Sequence, residues 1–307
     1  MQLRISPPRS PGTGVCWLVL LALAGACHPG NEEAIALREA CESGEAAACD
    51  QFGQKLLKGE YVLRDETDAA RRFTQACDGK VADGCARLGV LVQSGRGVKR
   101  DSARAFTLFE QACTGGAMDG CTRLGLLYRQ GAGVPKDLGR AAGLFDQACT
   151  GNDLPGCAQL GTLYASGEGL AADHGRAAGL FQRSCDGKVA IGCVGLGRLY
   201  DAGTGVPQND SLASANFEKA CEADEPAGCF HLGDQYAAGK GVEADYWHAS
   251  ELYRQACSER HGEACYRLAE LHEKGAGVWR DAETARRYTR RACEYGHKPA
   301  CPKPEGA

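Results

Sequence analysis

Eighteen cysteines in 307 residues are the side chains with the most chemistry to offer, and sixteen of them obey one rule. Cys41, Cys77, Cys113, Cys149, Cys185, Cys221, Cys257 and Cys293 stand 36 residues apart. Each is followed eight residues later by a partner: Cys49, Cys85, Cys121, Cys157, Cys193, Cys229, Cys265 and Cys301. Thiols bind metals or oxidise to one another. Zinc sites set their cysteines about two to four residues apart, so seven intervening residues repeated eight times favour disulfides. On a continuous helix, residues eight apart are separated by about 12 Å along the axis, beyond the roughly 4.4–6.8 Å between Cα atoms that a disulfide tolerates. The chain therefore turns back within each pair: one cysteine ends a helix, a corner follows, and the partner opens the next helix. Closing a nine-residue loop contributes about 2.6 kcal/mol per bridge on the chain-entropy estimate. Such bridges persist only in oxidising compartments.

The elements that must hold these thiols follow from the same period. In residues 84–119, apolar or small residues at 84, 85, 88, 91 and 92 share one side of a helix, called A here. Gly95-x-Gly97 then recurs at 131/133, 167/169, 203/205, 239/241 and 275/277, where glycine ends a helix and reverses the chain. An acidic or amide residue follows at Asp65, Asp101, Asp137, Asp173, Asn209, Asp245 and Asp281, placed to cap the second helix, B. In helix B, Ala105, Phe109 and Ala112 recur as Ala141, Phe145, Ala148 and as Ala213, Phe217, Ala220. Each A–B pair buries its apolar face only against its neighbours, so the reading is an all-α solenoid. It comprises seven 36-residue repeats over about 46–293, with a terminal half repeat, Asn31 to Glu42, supplying a lone first B helix. The Gly-x-Gly pairs follow helices and recur six times, unlike the single strand-loop-helix glycines of a nucleotide site.

Residues 1–14 hold Arg4 and Arg9 and no acid, and Val15 to Ala24 form an uncharged apolar run before small residues. This is the pattern of a secretory signal peptide, and the run is too short to span a bilayer. Leu23-Ala24-Gly25-Ala26-Cys27 resembles a bacterial lipobox, with Ala24 where the family prefers leucine. The alternative is ordinary cleavage after Ala26. Acylation of Cys27 would account for the one cysteine left when sixteen pair and Cys16 departs with the leader. The expected organisation is a signal peptide at 1–26, a lipidated tether at 27–30, the repeat array at 31–301 and a tail at 302–307. His28 stands where aspartate often marks inner-membrane retention, which favours the outer membrane.

The formal net charge is −4, and without the first 26 residues it would be 33 basic against 39 acidic side chains. No run of five or more Lys/Arg occurs, which argues against nucleic acid as a partner. The seven histidines are scattered without a zinc-protease pattern, and no cofactor or metal motif is present. His231 and His272, on A helices, are the only two singled out as a possible pair, against the simpler reading of surface residues.

Gly-Cys-x-x-Leu-Gly-x-Leu-Tyr, the Gly-x-Gly-Val turn and Ala-x-x-Leu-Phe-x-x-Ala-Cys resemble Sel1-like repeats over about residues 31–301. With Cys-x7-Cys in every repeat they are similar to the Helicobacter cysteine-rich protein branch. The resemblance implies a right-handed αα-superhelix with a concave groove, extracytoplasmic residence, and a β-lactamase or penicillin-binding activity. For that activity there is no motif to carry over, since neither Ser-x-x-Lys nor Lys-Thr-Gly occurs.

Positions that need not repeat are the place to look for a site. The A-helix face opposite the apolar one varies, and by analogy with related solenoids it would line the groove. The candidates are Arg87, Arg123, Arg129 and Arg198 toward one end, and His231, Asp234, Arg267, Glu270 and Glu273 toward the other. An ordinary solvated face is the competing reading. The expectation is a monomeric scaffold, held to a membrane by an N-terminal lipid, whose groove takes a protein, peptide or peptidoglycan fragment of opposite charge arrangement. A weak β-lactam-hydrolysing enzyme is the alternative.

Overall fold

A computed structural model describes residues 29–301. The signal peptide, Cys27 and the tail at 302–307 lie outside the described residues. The described chain is helical throughout and falls into two compact units, one ending at Ala105 and the other starting at Phe106. The first holds α1 (Pro29–Glu42), α2 (Ala46–Lys58), α3 (Glu66–Asp78) and α4 (Ala82–Ser94). α5 (Ser102–Thr114) contains the boundary. The second unit continues with α6 (Met118–Gln130), α7 (Leu138–Thr150), α8 (Leu154–Ser166), α9 (His174–Asp186) and α10 (Ala190–Ala202). It ends with α11 (Asp210–Glu222), α12 (Pro226–Ala238), α13 (Tyr246–Ser258), α14 (Gly262–Lys274), α15 (Ala282–Glu294) and a 3-10 turn at Lys298–Ala300. Among the described residues there is no strand. The lone first helix begins at Pro29, two residues before the expected Asn31.

Every expected corner is present. Seven disulfides join an odd-numbered helix to the start of the helix after it, and the eighth joins α15 to Cys301 just past the 3-10 turn, with Cα atoms 4.5–4.8 Å apart. So many bridges place the protein in an oxidising, extracytoplasmic environment. Each even-numbered helix stops at a glycine in the left-handed region, as at Gly95 (φ 74°), whose N–H reaches the Leu91 carbonyl at 2.8 Å. The following B helix opens on its acidic or amide cap. Asp65 accepts from the N–H groups of Thr67 and Asp68, both at 2.9 Å, and Asp101 from that of Arg104 at 2.9 Å.

Packing explains why these positions repeat, and where they stop repeating. The A-helix glycines leave room for the aromatic ring of the paired B helix: a Cβ on Gly125, Gly161 or Gly197 would lie 2.6, 2.9 or 2.6 Å from the ring of Phe145, Phe181 or Phe217. In the last repeat both partners change together. Ala269 replaces the glycine and Thr289 the ring, so volume lost on one helix is partly regained on the other. The second turn glycine is similarly coupled to the preceding B helix. A Cβ on Gly97 would lie 2.1 Å from the Glu66 carbonyl oxygen. In the first repeat the roles invert: Tyr61 occupies the turn with φ 59°, and Gly30 on α1 leaves the space that its ring fills, since a Cβ there would fall 2.2 Å from the ring.

Gly161→Ala is therefore expected to destabilise the oxidised protein by about 1–3 kcal/mol through overpacking. The cost should shrink in a Phe181→Thr background. A double-mutant cycle by urea unfolding measures this, and strict additivity would contradict the packing account.

Candidate binding surface

Each candidate sits on an A helix because the apolar stripe of that helix is turned into the core, leaving the variable side free of it. What the side chains then do differs from helix to helix. In the first compact unit, Arg87 on α4 is held by Asp50 on α2, its Nη1 lying 2.7 and 2.6 Å from the two carboxylate oxygens. Asp50 itself is buried. In the second unit, Arg123 pairs along α6 with Asp119 at 2.8 Å. These two arginines are thus internally compensated. Arg129 donates to the neutral Gln159 side chain on α8 at 2.5 Å. Arg198 on α10 is exposed. Among the described residues no ion pair with a carboxylate involves either Arg129 or Arg198.

At the other end, Asp234 on α12, Arg267 on α14 and Glu270 come together around one cleft of about 340 Å³, which Tyr253, Tyr246 and Lys274 also line. Tyr253 donates its hydroxyl to Asp234 at 2.7 Å. Arg267 bridges Asp234 at 3.7 Å, Glu270 at 3.3 Å and Glu263 at 3.9 Å. Burial pushes the Asp234 carboxyl above its ordinary range, against the Tyr253 hydrogen bond and the Arg267 charge. Burial and the adjacent Asp234 carboxylate push the Tyr253 hydroxyl upward. Burial pulls the Arg267 guanidinium down, but Asp234 and Glu270 outweigh it and the net shift is upward. Glu273 is exposed. Tyr253 was not a sequence candidate, although its hydroxyl on a position that is phenylalanine in five other repeats was the available signal.

His231 is not a free groove side chain. Its ring stacks on Phe217 at 5.0 Å and lies 5.1 Å from Phe230, which also stacks on His261 at 4.7 Å. Burial lowers its pKa to about 4, helped by Arg198 and His261 and opposed by Asp201. His272 takes different partners, the Tyr288 ring at 5.7 Å and the Trp279 carbonyl at 3.2 Å. The two histidines therefore belong to separate aromatic stacks.

Sequence reasoning missed a second kind of surface, on the B helices. Arg140 and Arg176 lie over Tyr128 and Tyr164 and donate to their hydroxyls at 3.1 and 3.2 Å. At the equivalent place in the α12–α13 repeat, His248 stacks on Tyr236 at 5.2 Å beside the half-exposed Trp247. These residues border a cleft of about 670 Å³ together with Glu218, Leu232 and Glu251. The signal was the Tyr at 128, 164, 200 and 236 with its variable partner twelve residues on.

Fold and site together define a disulfide-stapled αα-repeat protein that presents variable side chains on a regular frame. Comparison with known proteins narrows the class. The Sel1 repeat matches residues 82–116, 119–153, 154–188, 190–225, 226–261 and 262–297, and the chain belongs to the Sel1 repeat family. It is similar to a protective antigen of uropathogenic Escherichia coli displaying an SLR fold, at 26% identity and a TM-score of 0.66. That match covers 87% of this chain and 57% of the antigen, so the chain spans little more than half the antigen's length. A Sel1 repeat protein from Oxalobacter formigenes shares the fold at 19% identity and a TM-score of 0.68, over 90% of this chain and 98% of that one. Helicobacter pylori cysteine rich protein B is 27% identical over 44% of this chain and all of its own length, with a TM-score of 0.37. No curated protein matches the sequence. Sel1 repeats are a scaffold typical of protein–protein interaction, and this chain is built on that scaffold.

His231 makes the second unit sensitive to acid. Its folded pKa of about 4 lies below the ordinary 6.5, so the unfolded chain binds the proton first. Its contribution to stability is complete above about pH 6.5, falls as pH drops toward 4, and levels off below. The loss should be roughly 2–3 kcal/mol. Urea unfolding from pH 4 to 7 should show a slope that His231→Gln reduces, and equal slopes would refute the assignment.

Proposed function

We propose that the protein is an extracytoplasmic lipoprotein scaffold whose A-helix face in the second compact unit binds an extended peptide. The observation that carries this reading is the contrast on one face between two arginines without a carboxylate partner, Arg129 and Arg198, and the amphoteric cleft of Asp234, Tyr253, Arg267 and Glu270. Elsewhere on this chain an arginine of the A helices has its carboxylate, as Arg87 and Arg123 do. A cation left without one is available to a ligand, and guanidinium is the side chain best shaped for carboxylate. A peptide stem of a cell-wall fragment, which carries both free carboxylates and free amines, has the same charge pattern and is the finer form of this reading.

Export and anchoring rest on the leader at 1–26 and on Cys27, together with the oxidising environment that the bridges require. The lipid would tether the chain to the membrane, with the outer membrane favoured by His28. No helix among the described residues is long and apolar enough to cross a membrane.

Two measurements test the reading separately. Metabolic labelling with a palmitate analogue should mark the wild-type protein and not Cys27→Ala, and an unlabelled wild type would refute the anchor. Binding of an acidic peptide array to the purified oxidised protein should weaken at least tenfold in Arg129→Ala/Arg198→Ala. Each lost charge-assisted hydrogen bond is worth about 1.5–3 kcal/mol. Arg87→Ala/Arg123→Ala should change the affinity less than twofold, and the reverse ranking would refute the surface assignment.

A further inference from the structure

The last helix carries a charge pattern found on no other B helix of the described residues. In α15, Arg286, Arg287, Arg290 and Arg291 are all exposed, and none takes part in an ion pair among the described residues. The other B helices carry no more than two arginines each; Arg38, Arg104 and Arg183 also lack an ion pair, but others are matched. Arg71 has Asp68, Arg140 has Asp137, Arg176 has Asp173 and Arg254 has Glu251, each within ion-pair distance on the same element or its cap. The spacing 286/290 and 287/291 puts the four guanidinium groups on adjacent rows of one helix face. Arg287 and Arg291 lie 5.7 and 5.8 Å from the Tyr288 ring centroid, which holds both near that face.

Position 286 shows that solvation alone is a weak explanation. Its equivalents Ala70, Ala178, Ser214 and Ser250 are buried, and an uncharged polar residue would have sufficed where burial ends. The loop leading into α15 adds a second feature. Trp279 is 93% exposed and is followed by Arg280; tryptophan beside arginine is the side-chain combination that settles at a membrane–water interface.

We propose that the α15 face is a docking surface for anionic lipid headgroups. Four arginines without an ion pair, which outnumber Glu283 and Glu294 on the same short helix, can engage phosphates of a fluid surface simultaneously, whereas a protein partner would need carboxylates matched to all of them. Trp279 supplies an apolar contact that a purely ionic partner would not use.

The test is co-sedimentation of the oxidised protein, carrying Cys27→Ser so that no acyl chain contributes, with vesicles of phosphatidylcholine alone or mixed with phosphatidylglycerol. Binding to the mixed vesicles only is expected, falling steeply with added salt. Arg286→Ala/Arg287→Ala/Arg290→Ala/Arg291→Ala should lower the partition coefficient about a hundredfold or more. The corresponding lysine variant should retain most of it, which separates loss of charge from loss of fold. Trp279→Ala should weaken binding several-fold. Absence of binding to phosphatidylglycerol vesicles would overturn the proposal, as would an undiminished alanine variant that remains folded. Displacement of the protein from the vesicles by poly-glutamate at equal charge concentration would assign the face to an acidic protein and equally overturn it.

Discussion

A sulfur bridge at each corner brings the end of one helix and the start of the next to a Cα separation of 4.5–4.8 Å. That covalent constraint sets the geometry on which every other contact is built. Each bridge fixes a B helix to the A helix that follows it, and the glycine turn then lays that A helix on the next B helix, where the ring of Phe145, Phe181 or Phe217 meets a glycine and not a side chain. Repeat arrays are stabilised by nearest-neighbour terms alone, and a short helix pair buries too little to order itself. Bridges at every corner shift the balance by restricting the unfolded chain, whatever the side chains between them do. The oxidising compartment is then a condition of folding as much as a location.

A frame secured in this way tolerates change on its surfaces. The A helices carry arginines that are matched by Asp50 or Asp119, others that meet only an amide or solvent, and a cluster in which Asp234, Tyr253 and Arg267 neutralise one another. Exposed ion pairs contribute little to stability, so pairing here mainly determines which charges remain available to a partner. On the B helices, caps and i,i+3 carboxylates pair Arg140, Arg176 and Arg254, whereas the four arginines of α15 are left unmatched.

Compensation also runs between helices. The Gly30–Tyr61 pair reverses the Gly–backbone contact of the later turns, and Ala269 with Thr289 replaces the glycine–ring pair. In both cases a steric requirement is satisfied by the sum of two residues distant in sequence. A departure from the repeat at one position therefore has meaning only when its spatial partner is known.

The period of 36, the pairing of neighbouring thiols, the two helices per repeat, the glycine stops and the aspartate caps were all legible in the amino-acid sequence. Each depends on local geometry: helical rise, turn conformation and the reach of a disulfide are properties of residues close in the chain. The variable face was legible too, as a set of positions that need not repeat. Which of its charges are free was not, because compensation reaches across repeats, as Arg87 does to Asp50 over 37 residues. Burial of His231 between Phe217 and Phe230, the hydroxyl of Tyr253 on Asp234 and the stacking of Arg140 on Tyr128 likewise depend on side chains brought together by packing. Local rules specify the frame. Only tertiary contact decides which side chains it leaves unpaired, because a charge is neutralised by what lies near it in space.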